Sequence, residues 1–344
     1  WNDRPCAAVT GTNGKTTVTE LTTQMLLASG IQAAAVGNTD TPFVSAIDDK
    51  EIGYEVFVVE ASSFRLDRVR RFRAKAAAWL NLAPDHLDWH ENFQAYARAK
   101  SKIWETQQEG DIAVAPHDDV AVGPWTKHIS SQLLTFGLGK GDVHCTDREL
   151  IAHGERIVKI SELRRSRPHD QLNACAATAL ALSMDASVQS VAEALANFDG
   201  LAHRLEFVAT ANGVRFFDDS KATTPHATVA GMAGFEQAVL IAGGRNKGLD
   251  LLELRELAPR LAGVVVIGES AETLTHVFDG IVTTTLANSM EEAVKAATAI
   301  AQNSGGDVVL SPACASFDWY RNYNERGDDF QRFVRLLEQG QIQP

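Results

Sequence analysis

The sequence predicts an α/β protein of two domains, each built on a mainly parallel β-sheet with helices on both faces. Three observations support this prediction. Short apolar runs alternate with stretches of helical periodicity, a glycine loop joins the first run to the first helical stretch, and 344 residues with 45% apolar content suffice for two hydrophobic cores. We assign the domains to residues 1–200 and 201–344, which meet at the short turn-like junction Phe198-Asp199-Gly200.

The first domain begins with a strand, the glycine loop and a helix. Apolar runs predict buried strands at residues 7–9, 33–36, 56–59, 76–80 and 111–115. After the loop, apolar residues recur at helical spacing, at Val18, Leu21, Met25 and Leu26. The second domain repeats the alternation, with strands expected at 205–209, 214–217, 238–242, 264–267, 281–284 and 308–310 and helices at 251–261 and 290–301. This order predicts a Rossmann-like C-terminal domain.

The glycine loop is the most informative motif and consists of Gly11, Thr12, Asn13, Gly14, Lys15, Thr16 and Thr17. A loop of this kind turns backbone N–H groups and a helix N-terminus toward one point, where they hold phosphate oxygens. Lys15 would reach the terminal phosphates, and the Thr16 hydroxyl would ligate Mg²⁺. The usual eight-residue loop has its first glycine where Val9 stands. The flanking strand and helix nevertheless favour a P-loop-type ATPase domain over a chance glycine turn.

Composition disfavours several classes of function. The formal net charge of −12 argues against nucleic acid as a partner, because phosphate backbones are bound through excess lysine and arginine. Neither a run of about 18 apolar residues nor a signal pattern occurs, so we expect no membrane span and no export. The four cysteines form no C-x-x-C pair, which disfavours a zinc site and is typical of a reducing cytoplasm. We therefore expect a cytoplasmic protein, and a monomer.

Polar residues follow two of the predicted strands, at the sheet edge where open α/β folds bind ligands. Glu60 directly ends the run 56–59 and precedes Ser62, so its carboxylate is a candidate Mg²⁺ ligand beside the phosphate loop. A carboxylate that only caps the strand end is the alternative. His86 follows the apolar stretch 78–82, and a structural and a catalytic role both remain open for it.

Lys100 is predicted to point inward. Apolar residues mark one helical face between residues 92 and 107, and Lys100 lies on that face, three and four residues after Ala97 and Tyr96. A buried ammonium group is costly unless it is paired, neutralised or chemically changed. Alternatively, the side chain runs along the apolar surface and leaves its charge in water.

Taken together, these motifs resemble the Mur ligase superfamily and, within it, the branch that adds D-glutamate. The matching stretches follow the family's order over almost the whole chain: GTNGKTT from Gly11, VVEASSFRL from Val58, DHLDWH from Asp85, AYARAKSKI from Ala95, HRLE from His203, DDSKATT from Asp218, GGRNKG from Gly243 and SPACASFDWY from Ser311. The short phosphate loop is the superfamily's own form. SKAT with SPACAS is typical of the D-glutamate branch, whereas the DNPR motif expected of the diaminopimelate-adding member is absent.

The resemblance implies an ATP site with two Mg²⁺ ions. It assigns the ATP phosphates to Lys15 and Thr16, one Mg²⁺ to Thr16 and Glu60, and the second Mg²⁺ to His86. Lys100 would be the family's carbamylated lysine, because carbamylation turns a buried cation into an anion able to face a metal ion. The implied nucleotide contacts are Asn173, Arg204 and Asp219, the last two from the second domain.

The resemblance also implies an amino-acid site in the second domain. The residues that match the D-glutamate region are Lys221, Thr223, Lys247 and Ser316, with Phe317 and Tyr323 lining the pocket. Lysine and hydroxyl donors suit the two carboxylates of D-glutamate. Asn38 and Ser62 match positions near the muramoyl substrate. The predicted catalytic residues are Lys15, His86, Lys100 and Lys247.

The implied reaction is ATP-driven amide formation in peptidoglycan precursor synthesis, with D-glutamate and UDP-N-acetylmuramoyl-L-alanine as the substrates and an acyl phosphate as the intermediate. The chain departs from the family pattern at Thr39 and Asp40, where an apolar residue and glycine are usual. The family also has an N-terminal domain of about a hundred residues that grips UDP. Only residues 1–6 precede the first strand here, so we expect residues 1–344 alone to bind ATP without efficient turnover.

Three other functions are compatible with a phosphate loop. An amide ligase similar to folylpolyglutamate synthase would share the phosphate loop and the carbamylated lysine, but SPACAS argues against it. A non-catalytic ATP-binding subunit is disfavoured because the chain retains Lys15, Glu60, His86, Lys100 and Lys247. A signalling NTPase is disfavoured because no guanine-reading motif is evident.

Overall fold

The computed structural model describes residues 3–39, 41–48, 52–87 and 89–344. The chain forms two compact units, the first ending at Asp199 and the second beginning at Gly200. Each unit is built on one sheet of mostly parallel strands, which confirms the predicted α/β fold class. Across the described ranges, every helix is too short or too polar to cross a membrane.

The strands of the first unit are β1 (Cys6–Thr10), β2 (Ala33–Gly37), β3 (Val56–Glu60), β4 (Ala76–Trp79), β5 (Ile112–Pro116), β6 (Gln132–Leu138), β7 (Val143–Cys145), β8 (Glu149–Ala152) and β9 (Glu155–Lys159). Within the described residues they form one sheet in the order β2-β3-β1-β4-β5-β6-β7-β8-β9. The pairs from β2 to β7 are parallel, and β8 and β9 extend the sheet in antiparallel fashion. Strand β1 is therefore an interior strand, which pairs with β3 on one side and β4 on the other.

The first five strands match the predicted ones to within one residue at each end, because they are apolar runs largely buried on both faces. Strands β6 to β9 are not among the predicted strands. These strands are short or partly exposed, as at Leu133 and Leu138 of β6, so they lack the continuous apolar run of a central strand.

The helices of the first unit are α1 (Lys15–Ala28), α2 (Phe43–Asp48), α3 (Ser63–Asp67), α4 (Phe93–Glu105), α5 (Pro168–Ser183) and α6 (Val188–Asn197), with 3-10 helices at Gly123–His128 and Ile160–Glu162. Helix α1 buries the residues predicted from its periodicity, Val18, Leu21, Met25 and Leu26. Helix α4 is capped by Asn92, whose side-chain oxygen accepts a hydrogen bond from the backbone of Ala95. This cap fixes the start of the helix that carries Lys100.

The strands of the second unit are β10 (Glu206–Ala211), β11 (Val214–Asp218), β12 (Ala238–Gly243), β13 (Leu261–Ile267), β14 (Thr284–Leu286) and β15 (Asp307–Leu310). In the described part of the chain their order is β10-β11-β15-β12-β13-β14, with β10 antiparallel to β11 and the other pairs parallel. The helices are α7 (Pro225–Met232), α8 (Ala271–Phe278), α9 (Met290–Ser304) and α10 (Tyr323–Glu338), with a 3-10 helix at Leu251–Arg260. Alternate residues of β12 enter opposite apolar layers, Leu240 on one face and Val239 and Ile241 on the other.

Two elements of the second unit differ from the simple prediction. The strand expected at 281–284 is mainly a turn, because the backbone N–H groups of Ile281 and Val282 both donate to the carbonyl oxygen of Phe278. Strand β14 begins only at Thr284. The helix expected at 251–261 is a 3-10 helix that contains Pro259, which lacks the N–H group that a continuing α-helix would use.

Candidate functional site

The phosphate loop joins the end of β1 to the start of α1. Gly14 is the N-cap residue of α1 and has φ 83°, a left-handed conformation that glycine adopts without strain. A Cβ atom at this position would lie 2.5 Å from the Oδ1 atom of Asn173 on α5. The loop therefore requires glycine at position 14, both for its backbone and for the close approach of Asn173.

Asn81 holds the loop in place and was not identified from the sequence. It follows β4, and its side chain accepts a hydrogen bond from the Asn13 N–H at 2.9 Å and donates to the Asn13 carbonyl at 3.1 Å. The backbone of Thr12 donates to the carbonyl of Asn81 at 3.2 Å. A polar residue within the apolar stretch 78–82 was the available signal. These hydrogen bonds fix the phosphate loop to the segment that follows the carboxyl end of β4.

Lys15 and Thr16 begin α1 and are half-buried, and Thr17 is buried. The Nζ atom of Lys15 donates to the carbonyl oxygens of Gly11 and Thr12, both at 2.9 Å. The lysine is thus held against the loop that it is predicted to serve.

Glu60 ends β3 beside this loop and is 2% exposed. Its Oε1 atom accepts a hydrogen bond from the side-chain amide of Asn38 at 3.1 Å. Within the described residues its Oε2 atom is buried and has no hydrogen-bond partner. A buried carboxylate oxygen in this state is costly unless a cation or a donor reaches it, so Glu60 fits a metal ligand.

Two neighbouring predictions concern the muramoyl substrate. Ser62 is buried and is the N-cap residue of the short helix α3, although its side chain makes no capping bond. Thr39 follows Asn38, and its hydroxyl lies near the carbonyl oxygen of Thr41 at 3.4 Å. Asp40, the other departure from the family pattern, lies outside the described residues.

Lys100 points inward, as the periodicity of α4 predicted, and is 1% exposed. Its Nζ atom donates to the Gly11 carbonyl at 2.7 Å and lies 4.6 Å from the centre of the Tyr96 ring. Burial lowers the pKa of Lys100 well below its usual value, and the charge of Lys15 lowers it further, against the opposing charges of Asp85 and Glu60. Lys15 and Lys100 therefore meet at one carbonyl oxygen.

His86 lies in the turn after β4 and has φ 54°. Its backbone N–H donates to the Oδ1 atom of Asp85 at 2.9 Å, and its Nε2 atom lies 3.4 Å from the Oδ2 atom of the same residue. The ring packs edge-on against Phe64, with the ring centres 4.6 Å apart. The half-buried imidazole is thus oriented by a carboxylate and an aromatic ring, an arrangement compatible with either of its predicted roles.

The second unit holds the remaining predicted residues, several of them on the loop that follows β11. The backbone N–H of Asp219 donates to the Leu310 carbonyl at 2.8 Å, and its carboxylate accepts a hydrogen bond from the Ser311 hydroxyl at 2.8 Å. The Nζ atom of Lys221 lies 5.1 Å from the centre of the Tyr323 ring. The half-buried Thr223 follows two residues later, and its N–H donates to the Lys221 carbonyl.

The loops after β12 and β15 are joined to each other. Arg245 and Ala315 exchange two backbone hydrogen bonds of 2.8 and 3.0 Å. This pairing fixes the loop that carries Lys247 beside the loop that carries Ser316. The Lys247 side chain is half-buried, and Ser316 is 2% exposed. Phe317, the next residue, is 62% exposed.

Arg204 precedes β10 and is half-buried. Its neighbour His203 is buried, and the Nδ1 atom of His203 lies 2.7 Å from the Oδ2 atom of Asp218. Burial alone would lower the pKa of His203, but the hydrogen bond and charge of Asp218 outweigh it and raise the pKa. This pair fixes the backbone next to Arg204.

Within the described ranges, three ligand-type side chains lie close enough to share one metal ion: His203, Glu206 and Asp218, with ligand atoms within 4.8 Å of one another. The side-chain amide of Gln331 already donates to both carboxylates, at 3.0 Å and 2.9 Å. The cluster is therefore a satisfied hydrogen-bond network rather than a metal centre.

Comparison with known protein families assigns both units. Residues 9–181 match the Mur ligase middle domain, and residues 203–314 match the Mur ligase, glutamate ligase domain. The chain belongs to the Mur ligase family. This Mur ligase is 42% identical to the UDP-N-acetylmuramoylalanine--D-glutamate ligase of Desulfosudis oleivorans. The match covers 98% of this chain and 75% of that protein.

Further similarities agree with the family. The UDP-N-acetylmuramoylalanine--D-glutamate ligase of Frankia casuarinae is 41% identical, over 96% of this chain and 72% of its own length. A pseudomurein peptide ligase type C from Methanothermus fervidus has the same fold, with a TM-score of 0.73 and 17% identity over 99% of this chain and 80% of that one. The Mur ligase fold thus extends over both units.

Proposed function

We propose that this chain carries the ATP-binding and amino-acid-binding parts of a ligase that adds D-glutamate to UDP-N-acetylmuramoyl-L-alanine in peptidoglycan precursor synthesis. The observation that carries this proposal is 37–42% identity, over 96–98% of the chain, to relatives that bear the name of that ligase. A cytoplasmic location is part of the proposal, because all four cysteines are free thiols.

The reaction needs ATP because a carboxylate is a poor electrophile. The alanyl carboxylate attacks the γ-phosphorus, ADP leaves, and an acyl phosphate forms. The amine of D-glutamate then attacks the acyl carbon, and phosphate leaves from the tetrahedral intermediate as the amide forms. The protein's contribution is positioning and charge neutralisation. Lys15 would exchange its bonds to the Gly11 and Thr12 carbonyls for the ATP phosphates.

Thr16, Glu60, His86 and a carbamylated Lys100 would hold Mg²⁺ at this site. The Oε2 atom of Glu60, buried and without a hydrogen-bond partner among the residues that the structure describes, supports this assignment, since it is the kind of oxygen that a hard cation binds. Bound Mg²⁺ would neutralise charge on the phosphates during transfer.

Carbamylation of Lys100 is supported by its position. The amine is buried beside Lys15, where a second positive charge is unfavourable. An uncharged amine can add to carbon dioxide, with loss of one proton, to give a carbamate with one negative charge. That change would replace repulsion between two lysines with attraction, and it would supply an oxygen ligand for Mg²⁺.

The second unit would supply the remaining contacts. Lys221, Thr223, Lys247 and Ser316 are proposed to bind the two carboxylates of D-glutamate, with Phe317 and Tyr323 beside them. Arg204 and Asp219 are proposed to contact the nucleotide, together with Asn173 from the first unit. Asn38 and Ser62 are proposed to lie near the muramoyl substrate.

The test is phosphate release by the protein produced from its complete gene, with ATP, Mg²⁺ and UDP-N-acetylmuramoyl-L-alanine. D-glutamate should support release, and L-glutamate and diaminopimelate should not. Release that instead required L-glutamate and a folate acceptor would favour the folylpolyglutamate synthase-like alternative. ATP binding without release in any mixture would favour a non-catalytic subunit.

A further inference from the structure

Arg326 is a fully buried arginine near the start of α10, with 1% of its surface exposed. Its Nε atom donates to the Ser220 hydroxyl at 3.0 Å and its Nη2 atom to the Ser220 carbonyl at 2.8 Å. Its Nη1 atom donates to the carbonyl oxygens of Cys314 at 3.1 Å and Gly243 at 3.5 Å. One planar guanidinium group thus contacts three separate segments of the second unit.

These three segments are the carboxyl ends of β11, β15 and β12 together with the loops that follow them. Ser220 lies immediately before Lys221, Cys314 lies two residues before Ser316, and Gly243 lies four residues before Lys247. Each loop that Arg326 contacts therefore carries one of the side chains proposed to bind D-glutamate. The spacing of those side chains depends on how the three loops are held.

The acceptors of Arg326 within the described residues are neutral oxygen atoms. A buried guanidinium group held without a directly bonded carboxylate is costly in free energy, so stability alone is a poor reason for its presence. Burial lowers the pKa of Arg326 to about 10, with opposing contributions from Cys314, Asp318 and Asp218. The guanidinium group therefore stays protonated at neutral pH, and its positive charge is buried against the three loops.

The surroundings leave Arg326 little freedom. The next residue, Gly327, packs so closely that a Cβ atom there would lie 2.1 Å from the Nδ1 atom of His203. The Ser220 hydroxyl donates in turn to the Tyr323 carbonyl at 2.7 Å, one turn before Arg326 on the same helix. The N-terminal part of α10 is thus fixed to the loop of Lys221 at several points.

We propose that Arg326 is a positioning residue for the amino-acid substrate. It fixes the three loops at the spacing that lets Lys221, Lys247 and Ser316 engage both carboxylates of one ligand, and its charge adds to the attraction for an amino acid that carries two carboxylates. This inference rests on the proposed function, because it takes D-glutamate as that ligand.

The test compares Arg326→Lys with the matched variant Arg332→Lys, whose parent side chain lies on the same helix but is exposed and paired with Asp329. Lysine keeps the charge but cannot donate in several fixed directions as a planar fork does. We expect Arg326→Lys to raise KM for D-glutamate about tenfold or more, the usual scale for a lost hydrogen bond to a charged group. KM for ATP should stay within about threefold, and Arg332→Lys should resemble the wild type.

A second variant, Arg326→Ala, tests rescue. Millimolar guanidinium chloride should lower its KM for D-glutamate, because the free ion can occupy the vacated space, and it should not affect Arg332→Ala. Thermal unfolding is measured on every sample. A merely structural role would reduce the folded fraction and therefore kcat, with both KM values unchanged and no rescue.

Unchanged KM values in a folded Arg326→Lys protein would overturn the inference, as would failure of that variant to fold. If the wild type itself shows no phosphate release dependent on D-glutamate, the proposed function fails and the inference falls with it. If the wild type shows that dependence and Arg326→Lys keeps the same KM, only the inference fails.

Discussion

The Nζ atoms of Lys100 and Lys15 donate to the same acceptor, the carbonyl oxygen of Gly11, at 2.7 Å and 2.9 Å. Lys100 comes from the buried face of α4 and Lys15 from the first turn of α1. If both amines were protonated, their positive charges would repel each other at this neutral oxygen, so the arrangement favours a partner or a chemical change that brings negative charge. ATP phosphates and a carbamate would each do so.

Lys15→Ala should lower ATP affinity by at least about tenfold without unfolding the chain. A charge-assisted hydrogen bond contributes ~1.5–3 kcal/mol, whereas a half-buried lysine at the start of a helix contributes little to folding. Calorimetric titration with magnesium-ATP measures the first effect and thermal unfolding the second. Lys140→Ala, which removes an exposed lysine, is the control. Equal ATP affinity in the folded Lys15 variant would contradict the proposed role.

Lys100→Ala should leave the enzyme almost inactive, with part of the rate restored by acetate, because a small carboxylate can occupy the space of the proposed carbamate. Carbon-13 bicarbonate should give a carbamate signal in the wild type that is absent from Lys100→Ala and retained in Lys102→Ala. Spectra are recorded above neutral pH because acid releases the carbon dioxide. A free amine at Lys100 in saturating bicarbonate would refute carbamylation.

Lys247→Ala should raise KM for D-glutamate strongly while ATP affinity changes by less than a few-fold. Removing the cation that pairs with a ligand carboxylate costs ~1.5–3 kcal/mol, or about tenfold to a hundredfold in KM. Lys295→Ala removes a lysine of α9 that pairs with Glu291 and serves as the control. A defect mainly in ATP binding would exclude Lys247 from the amino-acid site.

His203 should make stability depend on pH. Its pKa is raised in the folded state by Asp218, so its stabilising contribution is fully present below the unfolded pKa of about 6.5 and is lost as pH rises through the folded pKa. His203→Gln should lower the free energy of unfolding, relative to the wild type, by ~1–3 kcal/mol near pH 6 and by less at pH 9. His276→Gln, at an exposed position, should show no such trend. A difference that grew with pH would reverse the assignment.

The sequence predicted secondary structure and burial correctly where one local pattern was sufficient to determine them. Apolar runs predicted the first five strands, and helical spacing predicted that Lys100 is buried. The strand expected at 281–284 failed because apolar residues such as Ile281 also occur in a turn that closes α8. The local sequence pattern cannot distinguish a strand from a turn at these residues, since the two differ in which carbonyl oxygen accepts hydrogen bonds from the backbone N–H groups.

Residues that act across the fold were harder to predict. Asn81 bonds to a loop 68 residues away, and Arg326 bonds to Ser220, 106 residues away. A signal for Arg326 was present, because it precedes the buried Phe330 and Val334 by four and eight residues on α10. That spacing predicts an inward arginine but does not reveal its partners.

The interior position of β1, between β3 and β4, has a consequence for synthesis of the chain. The phosphate loop directly follows β1, yet the neighbouring strands β3 and β4 are made later, and the Asn81 side chain that fixes Asn13 comes after both. A nascent chain that ends before Asn81 has emerged from the ribosome therefore contains the whole glycine motif without the bonds that shape it. ATP should begin to protect stalled chains from proteolysis only when they are long enough to include Asn81. The nucleotide can therefore stabilise a first unit that has already folded, but it cannot assist the early steps of folding of that unit.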